Sequence, residues 1–205
     1  MRGRVPSYAF RGDIGGWRSR PIFGALRLRA PRGDHTRAEA VVIAAAVDGA
    51  FRVVEIGAFE GGGSALVRSS MREGGTLTVV DPYPRGRLGF SAPLVTAKRL
   101  ARTQGQVETR WLRTTSLDAV QRWAGELDAV VIDGIHTLEA VRQDWSTWAR
   151  FVRTGGALAA RNDVVARAGD SSEERSSALL AAAPTDAGNW EVSEYADSFT
   201  AFRRL

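Results

Sequence analysis

Two side chains able to exchange protons leave the same apolar run. In "AVVIDGIHTLEAV", residues 129–141, the run ends at Asp133, and His136 follows three positions later. The chain has two histidines and no cysteine, which excludes thiol nucleophiles, disulfides and cysteine–zinc sites. An imidazole beside a carboxylate is equipped for general acid–base work. His136 is also placed to cap the following helix or to bond backbone, so the pair alone does not decide. A second constellation is "VVEIGAFEGGGS", residues 53–64, with glycines at 57, 61, 62 and 63. Such a strand-to-helix turn lets backbone approach a ligand closely, and the helix start offers free N–H groups. The dinucleotide fingerprint would need glycine at position 59, where Phe59 stands, and no Gly-Lys-Ser/Thr follows for a P-loop. Asp81 comes 24 residues after Gly57, where a carboxylate can accept from both hydroxyls of a ribose. Either feature alone reads as an ordinary turn or strand end; together they point to a nucleoside site.

The elements that must position these groups alternate. "FRVVEIG", "TLTVVD", "VETRWLR", "LDAVVID" and "ALAARND" read as strands. The segments "DHTRAEAVVIAAAVDGA", "ALVRSSMREG", "LVTAKRLARTQG", "SLDAVQRWAG" and "TLEAVRQDWSTWARFV" read as helices, the last stopped by "RTGG". "SSEERSSALLAAA" reads as a further helix, and "NWEVSEYA" with "SFTAFRRL" as two terminal strands. The alternation predicts an α/β fold with a mostly parallel sheet and helices on both faces. The turn between the last two strands is too short for a helical crossover, so that pair is antiparallel. Ligands of such sheets bind at the carboxyl ends of the strands. Glu55, Asp81, Ser116, Asp133 and the Asn162–Asp163 pair all fall there.

These motifs, in this order, resemble class I S-adenosylmethionine-dependent methyltransferases over residues 50–163. The nearest likeness is to small-molecule O-methyltransferases with an "E-I-G-x-x-x-G-x-S" loop and a "D-G-x-H" strand exit, among them metal-dependent enzymes that methylate sugar hydroxyls of natural products. The resemblance implies a Rossmann-like, seven-stranded sheet with a reversed last strand. Carried over by position, Glu55, Gly57 and Gly61 line the methionine and ribose side of the cofactor, and Asp81 holds the ribose. Tyr83 flanks the cofactor, with Asp133 beside it. Thr115 and Ser116 stand at the adenine, Thr115 replacing the Asp of the family's Asp-Ser pair. An extra glycine between Gly61 and Ser64 is a second departure. The Asp of "D-x-x-H" is a metal ligand in these enzymes and the His is the base, which assigns those roles to Asp133 and His136.

An alcohol must lose its proton when it takes a methyl group, which calls for a base, a metal or both. Asp133, Asn162 and Asp163 end neighbouring strands and could converge on a hard cation such as Mg²⁺. Asn162 adds no charge where the family pattern is more acidic, which leaves either a working but weaker metal site or a relic on a metal-independent enzyme. Asp144 reads as a structural cap or salt-bridge partner, His35 as a solvated residue near a helix start or else a lid residue folding over the site, and Trp145 and Trp148 as core.

Residues 1–37 hold nine arginines against Asp13 and Asp34, while the whole chain carries +5. The basicity therefore lies in an N-terminal arm or lid, residues 1–35, ahead of a domain spanning 36–205. Lys98 is the single lysine, and this Arg, Ala and Gly usage is what a GC-rich genome imposes, so the arginine count carries little functional weight. No apolar run reaches the ~18 residues of a membrane span, and the N-terminus has no secretory pattern. The expected setting is the cytoplasm. The expected partners are a small hydroxylated acceptor and further copies of the chain in a homo-oligomer, with no membrane. The rival readings are an RNA or polyanion methyltransferase gripping phosphate with the arginine arm, and a non-catalytic cofactor-binding protein.

Overall fold

A computed structural model describes residues 21–28, 30–102, 106–183 and 189–205. The chain opens with α1 (Pro21–Ala25) and α2 (Arg37–Ala46). Strands and helices then alternate: β1 (Arg52–Ile56), α3 (Gly62–Ser70), β2 (Thr76–Val80), α4 (Ala92–Ala101), β3 (Glu108–Leu112), α5 (Ser116–Val120), β4 (Leu127–Ile132), α6 (Leu138–Trp148) and β5 (Val152–Arg161). The last elements are α7 (Ser172–Ala182), β6 (Trp190–Ala196) and β7 (Phe199–Arg204).

The strands form one seven-stranded sheet in the order β3-β2-β1-β4-β5-β7-β6. Strands β1 to β5 are parallel, and β7 pairs antiparallel with both β5 and β6, as expected for the terminal strands. Side chains alternate across a strand. On β4, Ala129 and Val131 join a core shared with α2, α3 and α4, while Val130 and Ile132 face a second core shared with α5, α6 and α7. Both faces are therefore covered, and β4 reads as a nearly continuous apolar run for that reason. Full burial of a side chain such as Ile132 contributes roughly 1.5–3 kcal/mol. In the second core, Trp145 packs edge-on against Phe202 and Trp190, with ring centroids 4.8 and 5.6 Å away. Trp145 and Trp148 are core residues, as read from the helical spacing.

Two boundaries differ from the sequence reading. "RTGG" does not stop α6; a single 3-10 turn at Ala149–Phe151 does, and the four residues lie inside β5. Gly156 is needed there, because a Cβ would stand 2.7 Å from the Asp128 carbonyl oxygen on β4. The described part of the arm is also no separate unit. Helix α1 packs on α4, where Arg99 donates to the carbonyls of Gly24 and Ala25, and the Arg32 N–H donates to the buried Glu60 carboxylate. Residues 1–20, with most of the arginines, lie outside the described residues. No helix among the described residues is long and apolar enough to cross a membrane.

Candidate active site

The sheet order reverses between β1 and β4, and a cleft of about 620 Å³ opens at the carboxyl ends of the strands there. Glu55, Gly57, Asp81, Thr115, Ser116, Asp133 and His136 all line it. Seven residues picked from the sequence thus come together from four strand exits.

Gly57 ends β1 at φ +80°, and a Cβ on it would stand 2.5 Å from the carbonyl oxygen of Asp133. The glycine lets the exits of β1 and β4 meet. Asp81 braces the turn that follows. Its carboxylate accepts from the N–H groups of Ala58 and Phe59, at 3.1 and 3.2 Å, and from that of Tyr83 at 2.8 Å. Phe59 adopts the left-handed φ of 47° inside this braced turn. At the exit of β3, Thr115 caps α5 and donates to Asp118 at 2.7 Å. The Ser116 hydroxyl accepts from the Trp148 indole at 2.7 Å and lies beside Asp144, a buried residue that also lines the cleft. Burial pushes the Asp144 carboxyl up, and the Ser116 hydroxyl draws it back.

Asp133 is the centre of charge. His35 Nε2 lies 2.9 Å from its Oδ2, and Arg161 Nη1 and His136 Nε2 lie 3.6 and 3.8 Å from its Oδ1. Burial alone would lower the His35 pKa, but Asp133, with Glu39 and Glu55 behind it, more than reverses this and raises it. Glu55 lies beneath, 1% exposed, on the face of β1 that also carries Val53. Burial pushes its carboxyl up to about 8 against the opposing hydrogen bond from Ser64, so it is largely protonated at neutral pH. The run of glycines accommodates this packing. A Cβ on Gly62 would stand 2.3 Å from Gly33, and one on Gly63 would stand 2.6 Å from Glu55 and 3.1 Å from His35. The extra glycine thus belongs with the segment that delivers His35.

Several sequence assignments are corrected by these positions. Gly61 caps the start of α3 and faces Ala97 of α4, so it does not line the cleft. Tyr83 turns into the core beside Trp111, its ring 2% exposed, and does not line the cleft either. The proposed metal ligands do not converge. Strand β5 ends at Arg161, and Asn162 already has helical backbone angles ahead of a 3-10 turn at Asp163–Val165, so the pair does not continue the strand. The Asn162 amide donates to Ser176 and Thr200, at 3.3 and 2.9 Å, in a fully buried site. Asp163 is held by Arg161, which donates to it through Nε and Nη2 at 3.2 and 2.7 Å. The Arg161 guanidinium therefore sits between Asp133 and Asp163, where a cation would have to be. The Asn162 side-chain oxygen, Oδ1, has no hydrogen-bond partner among the described residues, but neither carboxylate is available beside it. No group of three or more His, Asp and Glu side chains able to hold a metal ion occurs among the described residues. These residues do not fit Mg²⁺.

Arg161 is the functional neighbour that the sequence reading missed, and His35 takes the less favoured of its two readings, folded over the site. His35 is 1% exposed, not solvated. The signal for Arg161 is a lone charge closing the apolar stretch "ALAAR", a position that both-face burial makes costly unless acids wait beside it.

Residues 54–162, just over half of the chain, match the family model described as "Methyltransferase domain". No curated protein matches. Among solved structures, the chain is similar to the O-methyltransferase TomG from Streptomyces achromogenes, involved in tomaymycin synthesis and in complex with S-adenosylmethionine. The identity is 17% and the TM-score 0.60, over 90% of this chain and 87% of that one. It is similar to the Bacillus cereus O-methyltransferase in complex with S-adenosylhomocysteine, at 15% identity and TM-score 0.57 over 90% of each chain. It is also similar to an rRNA methylase from Streptococcus thermophilus, at 13% identity and TM-score 0.54 over 84% of this chain and 99% of that one. At these identities the likeness is one of fold.

Proposed function

Because the chain belongs to the methyltransferase-domain family, we propose that it transfers a methyl group from S-adenosylmethionine to a hydroxyl of a small molecule, a sugar of a natural product or a similar compound. The observation that carries this reading is the placing of Asp133 and His136 in one cleft with Gly57 and Asp81. A nucleoside whose ribose is held at Asp81 brings its sulfonium toward the exit of β4. There His136, exposed to the cleft, is free to accept the proton of an incoming hydroxyl. The methyl donor supplies its own leaving group, so the chain has only to align the acceptor oxygen with the methyl carbon and remove the proton. Asp133 is the carboxylate beside this base, its Oδ1 3.8 Å from His136 Nε2.

Mg²⁺ assistance, expected from the sequence, has no part in this proposal, because Arg161 fills its place between the carboxylates. The likeness to TomG supports an acceptor of natural-product type, and the cytoplasm is its proposed setting. A polyanionic acceptor such as RNA is the second reading, supported by the likeness to an rRNA methylase. That reading requires nucleic-acid binding that weakens steeply with salt.

The test is methyl transfer from labelled S-adenosylmethionine to a panel of glycosides, phenols and RNA, with wild type and His136→Ala. The expected result is transfer to a small hydroxylated compound, reduced by about 100-fold or more in the variant, with S-adenosylhomocysteine binding unchanged. Equal turnover in the two proteins would remove His136 from the chemistry.

A further inference from the structure

Asp144 is a buried carboxylate in the cleft wall for which methyl transfer has no use. It is 8% exposed, and the Ser116 hydroxyl is the one polar neighbour that draws its raised carboxyl back down. No basic side chain pairs with it among the described residues. A carboxylate taken from water is costly unless donors replace those it lost, and one hydroxyl leaves most of its lone pairs unused.

The order of the strands fixes what faces it. With the ribose at Asp81 on β2 and the sulfonium directed to β4, the base on the far side of the ribose is carried toward β3. The exit of β3 supplies Thr115, Ser116 and Leu117 to the cleft, and α6 supplies Asp144 opposite them. Helix α6 is tied to that exit by the Trp148–Ser116 bond of 2.7 Å. Thr115 cannot serve the base in place of a carboxylate, since its hydroxyl is engaged with Asp118 as the α5 cap.

We propose that Asp144 reads the nucleobase: its carboxylate accepts a hydrogen of the 6-amino group of adenine and selects the adenine cofactor against its 6-oxo counterpart. This rests on the reading that the cleft takes S-adenosylmethionine. A 6-oxo base brings an acceptor oxygen against an acceptor oxygen, leaving both without a donor.

Calorimetric titration of the intact protein with S-adenosylhomocysteine and with S-inosylhomocysteine tests this without knowledge of the acceptor. Wild type is expected to prefer the adenine ligand by about 30-fold or more. In Asp144→Asn the carboxamide both accepts and donates, so the preference shrinks to about threefold while the adenine ligand is held within about tenfold of wild type. A carboxylate that only ties α6 to α5 would weaken both ligands alike and leave the ratio unchanged, which overturns the proposal. A wild-type preference below about threefold overturns it too, whether or not the variant folds. Absence of binding of either ligand by wild type removes the cofactor reading itself, and Asp144's role with it. Adenine-ligand binding with an unchanged ratio removes Asp144's role alone.

Discussion

Glu55→Gln removes one buried acid while keeping the shape of the pocket floor. Burial raises this carboxyl from 4.5 to about 8, ahead of the opposing Ser64 bond. A raised acid binds its proton more tightly in the folded chain than in the unfolded one. Its contribution is therefore complete below the ordinary carboxylate range and is lost as pH rises toward 8. Proton linkage between those two values gives a contribution of about 3 kcal/mol at about pH 5.5 and close to zero at about pH 8.5. Glu55 is fully enclosed, so solvent does not screen this figure away. The assay is urea unfolding followed by tryptophan fluorescence, with Trp145 and Trp148 buried as reporters. Wild-type stability should fall by about 3 kcal/mol more than that of the variant between the two pH values. Parallel pH profiles for the two proteins would refute the argument, since they would mean that the carboxyl titrates alike in both states.

Three further outcomes follow from named contacts. Gly63→Ala gains roughly 1 kcal/mol of helix propensity but forces a Cβ to within 2.6 Å of Glu55. The net result is a loss of about 2 kcal/mol and a melting temperature lower by about 5 °C; an unchanged or higher melting point counts against the packing described. Asp128 is opposed by burial, yet Arg153 and the N–H groups of Arg52 and Phe51 hold its carboxyl below the usual range. Its stabilisation is present above that range and disappears as pH falls, so Asp128→Asn should cost about 1 kcal/mol at neutral pH, after screening, and little near pH 3; chemical denaturation at both pH values checks it. Titration with Mn²⁺, followed by electron paramagnetic resonance, should show no stoichiometric site. A site that is lost in Asp133→Asn would mean that Arg161 can be displaced.

The periodic elements were legible because both-face burial writes itself into the chain as apolar runs with polar residues at their ends. The alternation of strands and helices, the reversed β7 and the meeting of Gly57, Asp81 and Asp133 at one cleft all follow from that pattern. What was not legible depends on the directions of side chains at strand ends. A strand exit tells that Asn162 and Asp163 lie near Asp133, but not that one turns toward α7 while the other is claimed by Arg161. Tyr83 was misplaced for the same reason: its φ of 45° turns the ring into the core. His35 read more readily as solvated than as a lid residue because no local pattern says that a segment before the first long helix folds back on the glycine turn. The glycines themselves record that contact, but only once the partner is known.

Arg161 also changes what can go wrong with the protein. A bound ion exchanges with its surroundings, can be stripped by a chelator or replaced by a rival ion, and is present only in proportion to its supply. A guanidinium tethered to β5 is at full occupancy as soon as the chain has folded. The positive charge beside Asp133 is thus inherited with the gene and not acquired from the environment. The same tether makes it immutable in use: no effector that works by adding or withholding a metal can reach this site.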